Sequence, residues 1–184
     1  MCGSIFNMEV IMNDILDVIV SRRSIKKYKN IIVEKGLINK VLKAGMYAPS
    51  GKNNQSAIIL AVTNKKVRDL LSELCASIRG VDSDPFYGAP VVLVVLAKKD
   101  IFTHVYDGSC VMENMLLEAH SLGLGACWIH HAKEMFETSQ GKELLQKLGI
   151  DEEYEGVGSC ILGYSDVVIK NELPRKENFI YFVE

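Results

Sequence analysis

The chain is poor in the features that announce most specialised proteins. It has no C-x-x-C pair, and its five cysteines (Cys2, Cys75, Cys110, Cys127 and Cys160) are scattered and odd in number. Zinc sites want close pairs of thiolates or imidazoles, and disulfide scaffolds want an even set, so we read these as reduced thiols of a cytoplasmic protein. The longest apolar run, Ala89–Ala97, falls far short of the ~20 residues that cross a membrane. The start lacks the order of charged segment, apolar stretch and small-residue cleavage site that marks a secretory signal. Neither sign of charge dominates. A formal net charge of −2 and an isoelectric point near 6.1 argue against a general binder of nucleic acid or membrane surfaces. G-x-G-x-x-G after a first strand and G-x-x-x-x-G-K-[ST] are both absent, which disfavours a dinucleotide-binding Rossmann domain and a P-loop. Repeats, low-complexity segments and linkers are missing too.

What is present fits one domain. At 184 residues, 48% hydrophobic and 24% charged, the chain is long enough for one substantial core. Extra methionines at Met8 and Met12 set residues 1–11 apart as a leader. Asn13 and Asp14 can cap a helix carrying Ile15, Leu16, Val18 and Ile19, ending near Arg23. A second helix reads from about Glu34 and stops before Pro49. "SAIILAVTN" reads as a strand, "KKVRDLLSELCAS" as a helix, and "APVVLVVLAKK" as a strand buried on both faces. "DGSCVMENMLLEAHSLG" reads as a long helix, apolar nearly all round, closed by Gly123. "ACWI" is a short strand, two helical pieces follow to Leu148, and "GVGSCILGY" is the last core strand. After Tyr164 comes an extended tail with the aromatic end "FIYFV". Mixed elements of this kind place helices over a central sheet.

Four segments carry candidate chemistry. "SRRSIKKYKN" concentrates Arg22, Arg23, Lys26, Lys27 and Lys29 within ten positions. Arginines in the last turn of a helix complement its negative end, by ~0.3–1 kcal/mol each. Equally, an arginine fork beside the Ser24 hydroxyl matches phosphate oxygens. On the residues alone both readings are open. "APSGKNNQSA" is a loop by composition, yet Asn53 and Gln55 each carry the donor and acceptor needed to read a heterocycle edge. In "GLGACWIHH" the glycines allow close backbone approach to a flat ligand. The adjacent His130 and His131 have His104 and His120 far off in sequence, so we expect no metal there. "LPRK" adds Arg175 in the tail.

In this order and spacing the four segments resemble the FMN-dependent nitroreductase family, from about Met12 to the end. "SRRSIKKY" is similar to its R-[RH]-S-x-[RK]-x-[FY] opening, and "APSGKNNQ" to its A-P-S-x-x-N-x-Q loop. "GLGACWI" is similar to G-L-G-S-C-W-I, and "LGY" followed by "PR" to the closing pattern. The resemblance implies an α+β fold, a three-layer α/β/α sandwich around a mixed, largely antiparallel sheet. It implies that Arg22 and Ser24 hold the phosphate and ribityl of FMN, with Arg23 beside them and Arg175 on the same phosphate. Lys26 matches the cation near the pyrimidine edge, which stabilises the reduced, anionic ring. Pro49, Ser50, Gly51 and Asn53, with Gln55, match a loop lent by the partner subunit. Trp128, Ile129, His130 and His131 match the segment whose backbone faces the ring near N5.

The implied protein is a cytoplasmic homodimer with shared active sites, its residues 165–184 wrapped around the partner. It would carry hydride from NADH or NADPH to a nitroaromatic, a quinone or a similar small acceptor in ping-pong fashion. No side chain is then needed as acid or base. Two departures bear on acceptor choice: Ser56 and Ala57 follow Gln55 where Pro and an aromatic are usual, and His130 replaces Gly or Glu. The rival readings are a reductive dehalogenase or flavin-destroying member of the same fold, and a non-catalytic flavin-binding sensor. The helix over Asp107–Leu122 is expected to expose an apolar stripe that only a partner subunit can cover.

Overall fold

The strand Val91–Lys98 is buried along almost its whole length because successive side chains enter two different cores. Val91, Leu93, Val95 and Ala97 face one layer of helices, whereas Val92, Val94 and Leu96 face the other. This computed structural model describes residues 14–151, 153–169 and 174–184. The leader over residues 1–11 and the Asn13 cap lie outside them.

In chain order the elements are α1 (Ile15–Ser21), α2 (Lys35–Met46), a 3-10 turn (Gly51–Asn53), β1 (Ala57–Val62) and α3 (Lys65–Arg79). Then come β2 (Val91–Lys98), α4 (His104–Ser121), β3 (Gly125–Ile129), α5 (Ala132–Glu137), α6 (Ser139–Lys147) and β4 (Tyr154–Gly163). The sheet runs β1-β2-β4-β3, and every strand pairing is antiparallel. The mixed character rests on one parallel bridge, Ser24 to Ala126, at the outer edge of β3. Helices α2 and α4 cover one face through Ile38, Val41, Val111, Met112 and Met115. Helices α3, α5 and α6 cover the other through Leu71, Leu74, Met135, Phe136 and Leu145. The expected three-layer α+β sandwich is the fold.

Two expectations change. Helix α1 stops at Ser21, and Arg22 already has extended angles (φ −57°, ψ 134°). The last turn therefore carries no cation. Further, α4 is covered by its own chain: Val111, Met112, Met115, Leu116 and Ala119 are all buried between α2 and the sheet. A helix held between two layers can be apolar nearly all round without a partner. The exposed large apolar side chains of α4 are confined to its first turn, at Val105 and Tyr106; others include Ile15 and Leu16 of α1, Met46, Tyr47, Phe102, and Phe179 to Val183 of the tail.

Candidate active site

Past α1 the chain runs extended along the free edge of β3. Ile25 N–H donates to the Ala126 carbonyl at 3.0 Å, and the Ile25 side chain packs where a Cβ on Gly125 would stand. Beyond the single bridge of Ser24 to Ala126 the chain leaves β3 for the end of β4, where Lys29 N–H donates to the Tyr164 carbonyl at 2.9 Å. The two arginines divide the two sequence readings between them. Arg23 folds back, its Nη1 donating to the carbonyls of Val20 at 2.7 Å and Arg22 at 2.8 Å. It closes the end of α1 as a capping cation does. Arg22 is left over. Among the described residues its only ion pair is a loose one, Nε to Glu113 Oε1 at 3.9 Å, and its guanidinium makes no hydrogen bond.

Ser24 Oγ and Lys26 Nζ likewise have no hydrogen-bond partner among the described residues; the Lys26 ammonium sits 5.6 Å from the centre of the Tyr87 ring. Beside this run stands β3. Trp128 lies across the sheet, its indole so close to Gly158 that a Cβ there would fall 2.3 Å from Nε1. Ile129 points into the α3/α5 core. His130 is exposed, and His131 takes the left-handed conformation at φ +74° as the residue capping α5. Ser24 thus stands at the outer edge of β3 beside Ala126, with Arg22 and Lys26 two residues to either side of it in the chain and residues 128–131 further along the same strand and its exit. An unspent arginine fork, a hydroxyl and an ammonium in this row fit a phosphate and the anionic edge of a ring.

The loop Pro49–Gln55 is elsewhere. Its anchor is Asp107, which spacing in the sequence did not reveal. Asp107 Oδ1 accepts from Gly51 N–H at 2.9 Å, and Oδ2 accepts from Ser56 Oγ at 2.7 Å and Thr103 Oγ1 at 3.1 Å. Burial works to raise the Asp107 pKa, but these three donors outweigh it and hold the carboxyl below its ordinary value. Glycine is required at position 51, because a Cβ would meet Thr103 Oγ1 at 2.5 Å. Gln55 N–H donates to Ser50 Oγ at 3.0 Å. Lys52, Asn53 and Gln55 all have positive φ, strain of the kind that gathers at ligand-binding loops. The loop borders a cavity of about 390 Å³ whose walls include Met46, Ile59 and Val111.

Asp107, near the start of α4, holds the loop, whereas Arg22 meets Glu113, six residues further along the same helix, at 3.9 Å. At about 1.5 Å per residue the axis rises roughly 9 Å between them. No hydrogen bond or ion pair joins the loop residues to Arg22, Ser24 or Lys26 among the described residues. Arg175 lies on the exposed tail, without an ion pair or hydrogen bond among the described residues. Cys75, Cys110, Cys127 and Cys160 are free thiols; burial pushes the Cys160 pKa up to about 12, so it is no nucleophile at neutral pH.

Comparison with known proteins gives a consistent picture. A sequence model of the nitroreductase family matches residues 19–79 and 76–164. A protein of Methanothermobacter thermautotrophicus is 34% identical over 124 residues, which cover 62% of this chain and 60% of that protein. One of Archaeoglobus fulgidus is 31% identical over 157 residues, covering 83% and 86%. Both are named "Putative NADH dehydrogenase/NAD(P)H nitroreductase". The crystal structure of a nitroreductase with bound FMN from Bacteroides fragilis superposes with a TM-score of 0.84 at 28% identity, covering 94% of this chain and 100% of that one.

Proposed function

The chain belongs to the nitroreductase family, and from that footing we propose that it is a cytoplasmic, homodimeric, FMN-dependent oxidoreductase. When bound, FMN supplies the redox chemistry, taking hydride from NADH or NADPH and passing it to a nitroaromatic, quinone or similar acceptor. The observation that carries this reading is the unspent donor row of Arg22, Ser24 and Lys26 beside β3. Arg22 and Ser24 would hold the phosphate, and Lys26 would place its charge at the pyrimidine edge. The backbone of Trp128 to His131 would line the ring. Arg23 serves through the end of α1 that it closes, which fixes where Arg22 stands.

The exposed apolar surface supports a shared site. The loop of Pro49, Ser50, Gly51, Asn53 and Gln55 makes no hydrogen bond or ion pair with its own Arg22 among the described residues, and a second copy would supply it. A dimer would also cover α1, which buries none of its residues in the single chain, and give the apolar tail a surface. Arg175 would reach the partner's phosphate by that route. Apolar exposure on this scale is rare in soluble monomers.

Purified protein is expected to be yellow, to release FMN rather than FAD on denaturation, and to oxidise NADH or NADPH faster when a quinone is added. Chromatography of the released flavin and a nucleotide-oxidation assay check this. Bound FMN without turnover on any nitro compound or quinone would favour the sensor reading. A colourless chain that does not take up added FMN would refute the flavin site itself.

A further inference from the structure

We propose that His130, His131 and Glu134 form a binding site for one divalent first-row transition-metal ion. One ligand atom from each residue lies within 4.8 Å of the other two. His131 Nδ1 and Glu134 Oε2 stand 3.6 Å apart. That is beyond the roughly 2.7–3.2 Å of an N–H···O hydrogen bond. It is close to the donor–donor edge of about 3.4 Å that a tetrahedral ion imposes with bonds near 2.1 Å. Both atoms are shut off from solvent, and neither has a hydrogen-bond partner. Buried polar atoms are normally paired. Two of them facing each other across such a gap form an arrangement that an ion completes.

The backbone explains why the three meet. His131 holds φ +74°, a conformation rare outside glycine, and α5 starts at the next residue. Glu134 then follows three positions later on the same side of the first turn, where i and i+3 side chains are neighbours. The His130 ring stands 5.0 Å from that of His131 at an interplanar angle of 61°. Being exposed, it is free to turn a nitrogen inward. Two imidazoles and one carboxylate suit zinc, cobalt(II), nickel or iron(II) and leave coordination positions open. The other histidines, His104 and His120, are remote in sequence, and Glu134 is the third ligand that the adjacent pair needs. The site would tie the β3–α5 turn together, and it stands or falls independently of the flavin assignment.

The test uses full-length protein without a histidine tag, freed of metal with a chelator and then dialysed against zinc sulfate. Elemental mass spectrometry should find one zinc per chain, and calorimetry a single site. Glu134→Gln, which preserves shape, and His131→Ala should each weaken zinc binding at least tenfold and abolish the zinc-induced rise in melting temperature. Circular dichroism verifies that both variants fold, and Cys110→Ser, which removes the one partly exposed described thiol, should bind as the parent does. Zinc no higher than in a buffer control, or undiminished in both ligand variants, would overturn the site. FMN content measured on the same samples keeps failure here distinct from failure of the flavin reading.

Discussion

Replacing Asp107 probes the link between the fold and the loop of the candidate site. Its carboxylate is buried and accepts hydrogen bonds from Gly51, Ser56 and Thr103. A net bond to a charged acceptor contributes about 1.5–3 kcal/mol, and three that share one acceptor add incompletely. Asp107→Ala removes all three and leaves the buried Ser56 hydroxyl without its acceptor, so we expect a loss of about 3–5 kcal/mol. For a chain of this size, each kcal/mol lowers the melting temperature by roughly 2–4 °C. Asp107→Asn should lose about half as much, because the Ser56 and Thr103 hydroxyls can turn to accept from the new amide.

The pH dependence follows from the depressed pKa of this group. The unfolded carboxyl binds protons at a higher pH than the folded one, so its stabilising contribution is complete above the ordinary carboxylate pKa of about 3.9. That contribution fades as pH falls through the lower folded value. Urea titrations should therefore show the gap between parent and Asp107→Asn at its full size at neutral pH, narrowing below about pH 4. Hydrogen exchange should quicken at residues 51–56 in both variants. If Asp107→Ala melts within about 2 °C of the parent, the anchoring role is refuted.

Two further outcomes are expected. Arg22→Ala should weaken FMN binding roughly ten- to 150-fold, the range of one charge-assisted hydrogen bond, as read by fluorescence titration; an unchanged affinity would remove Arg22 from the phosphate. Deleting Asn178 to Glu184 should weaken both dimer and flavin retention, because subunit association and ligand binding are then linked; a truncated chain that sediments as a monomer with full FMN occupancy and activity would refute the shared site.

Local pattern was enough to specify most of the elements. The uniform β-branched and leucine run of β2 could only be a strand buried on both sides, and the residue periodicity of α2, α3 and α4 marked them as helices. Three of the four motifs mark the Arg22 segment, the Pro49–Gln55 loop and the β3–α5 turn, because each needs residue types that few other backbone settings use. Tertiary structure decided what those segments do relative to one another. Whether Arg22 or Arg23 closes α1 depends on one residue of helix length, which periodicity does not resolve. The apolar faces of α4 looked like an interface until α2 and the sheet were seen to enclose them. Asp107 carries no local signature, since its three donors lie at Gly51, Ser56 and Thr103, two of them some fifty residues away in sequence. Glu134, by contrast, lies three residues from His131, and its place beside the two histidines follows from the local start of α5 rather than from packing between layers. Contacts between distant segments are set by how the layers pack, and no window of sequence contains both partners.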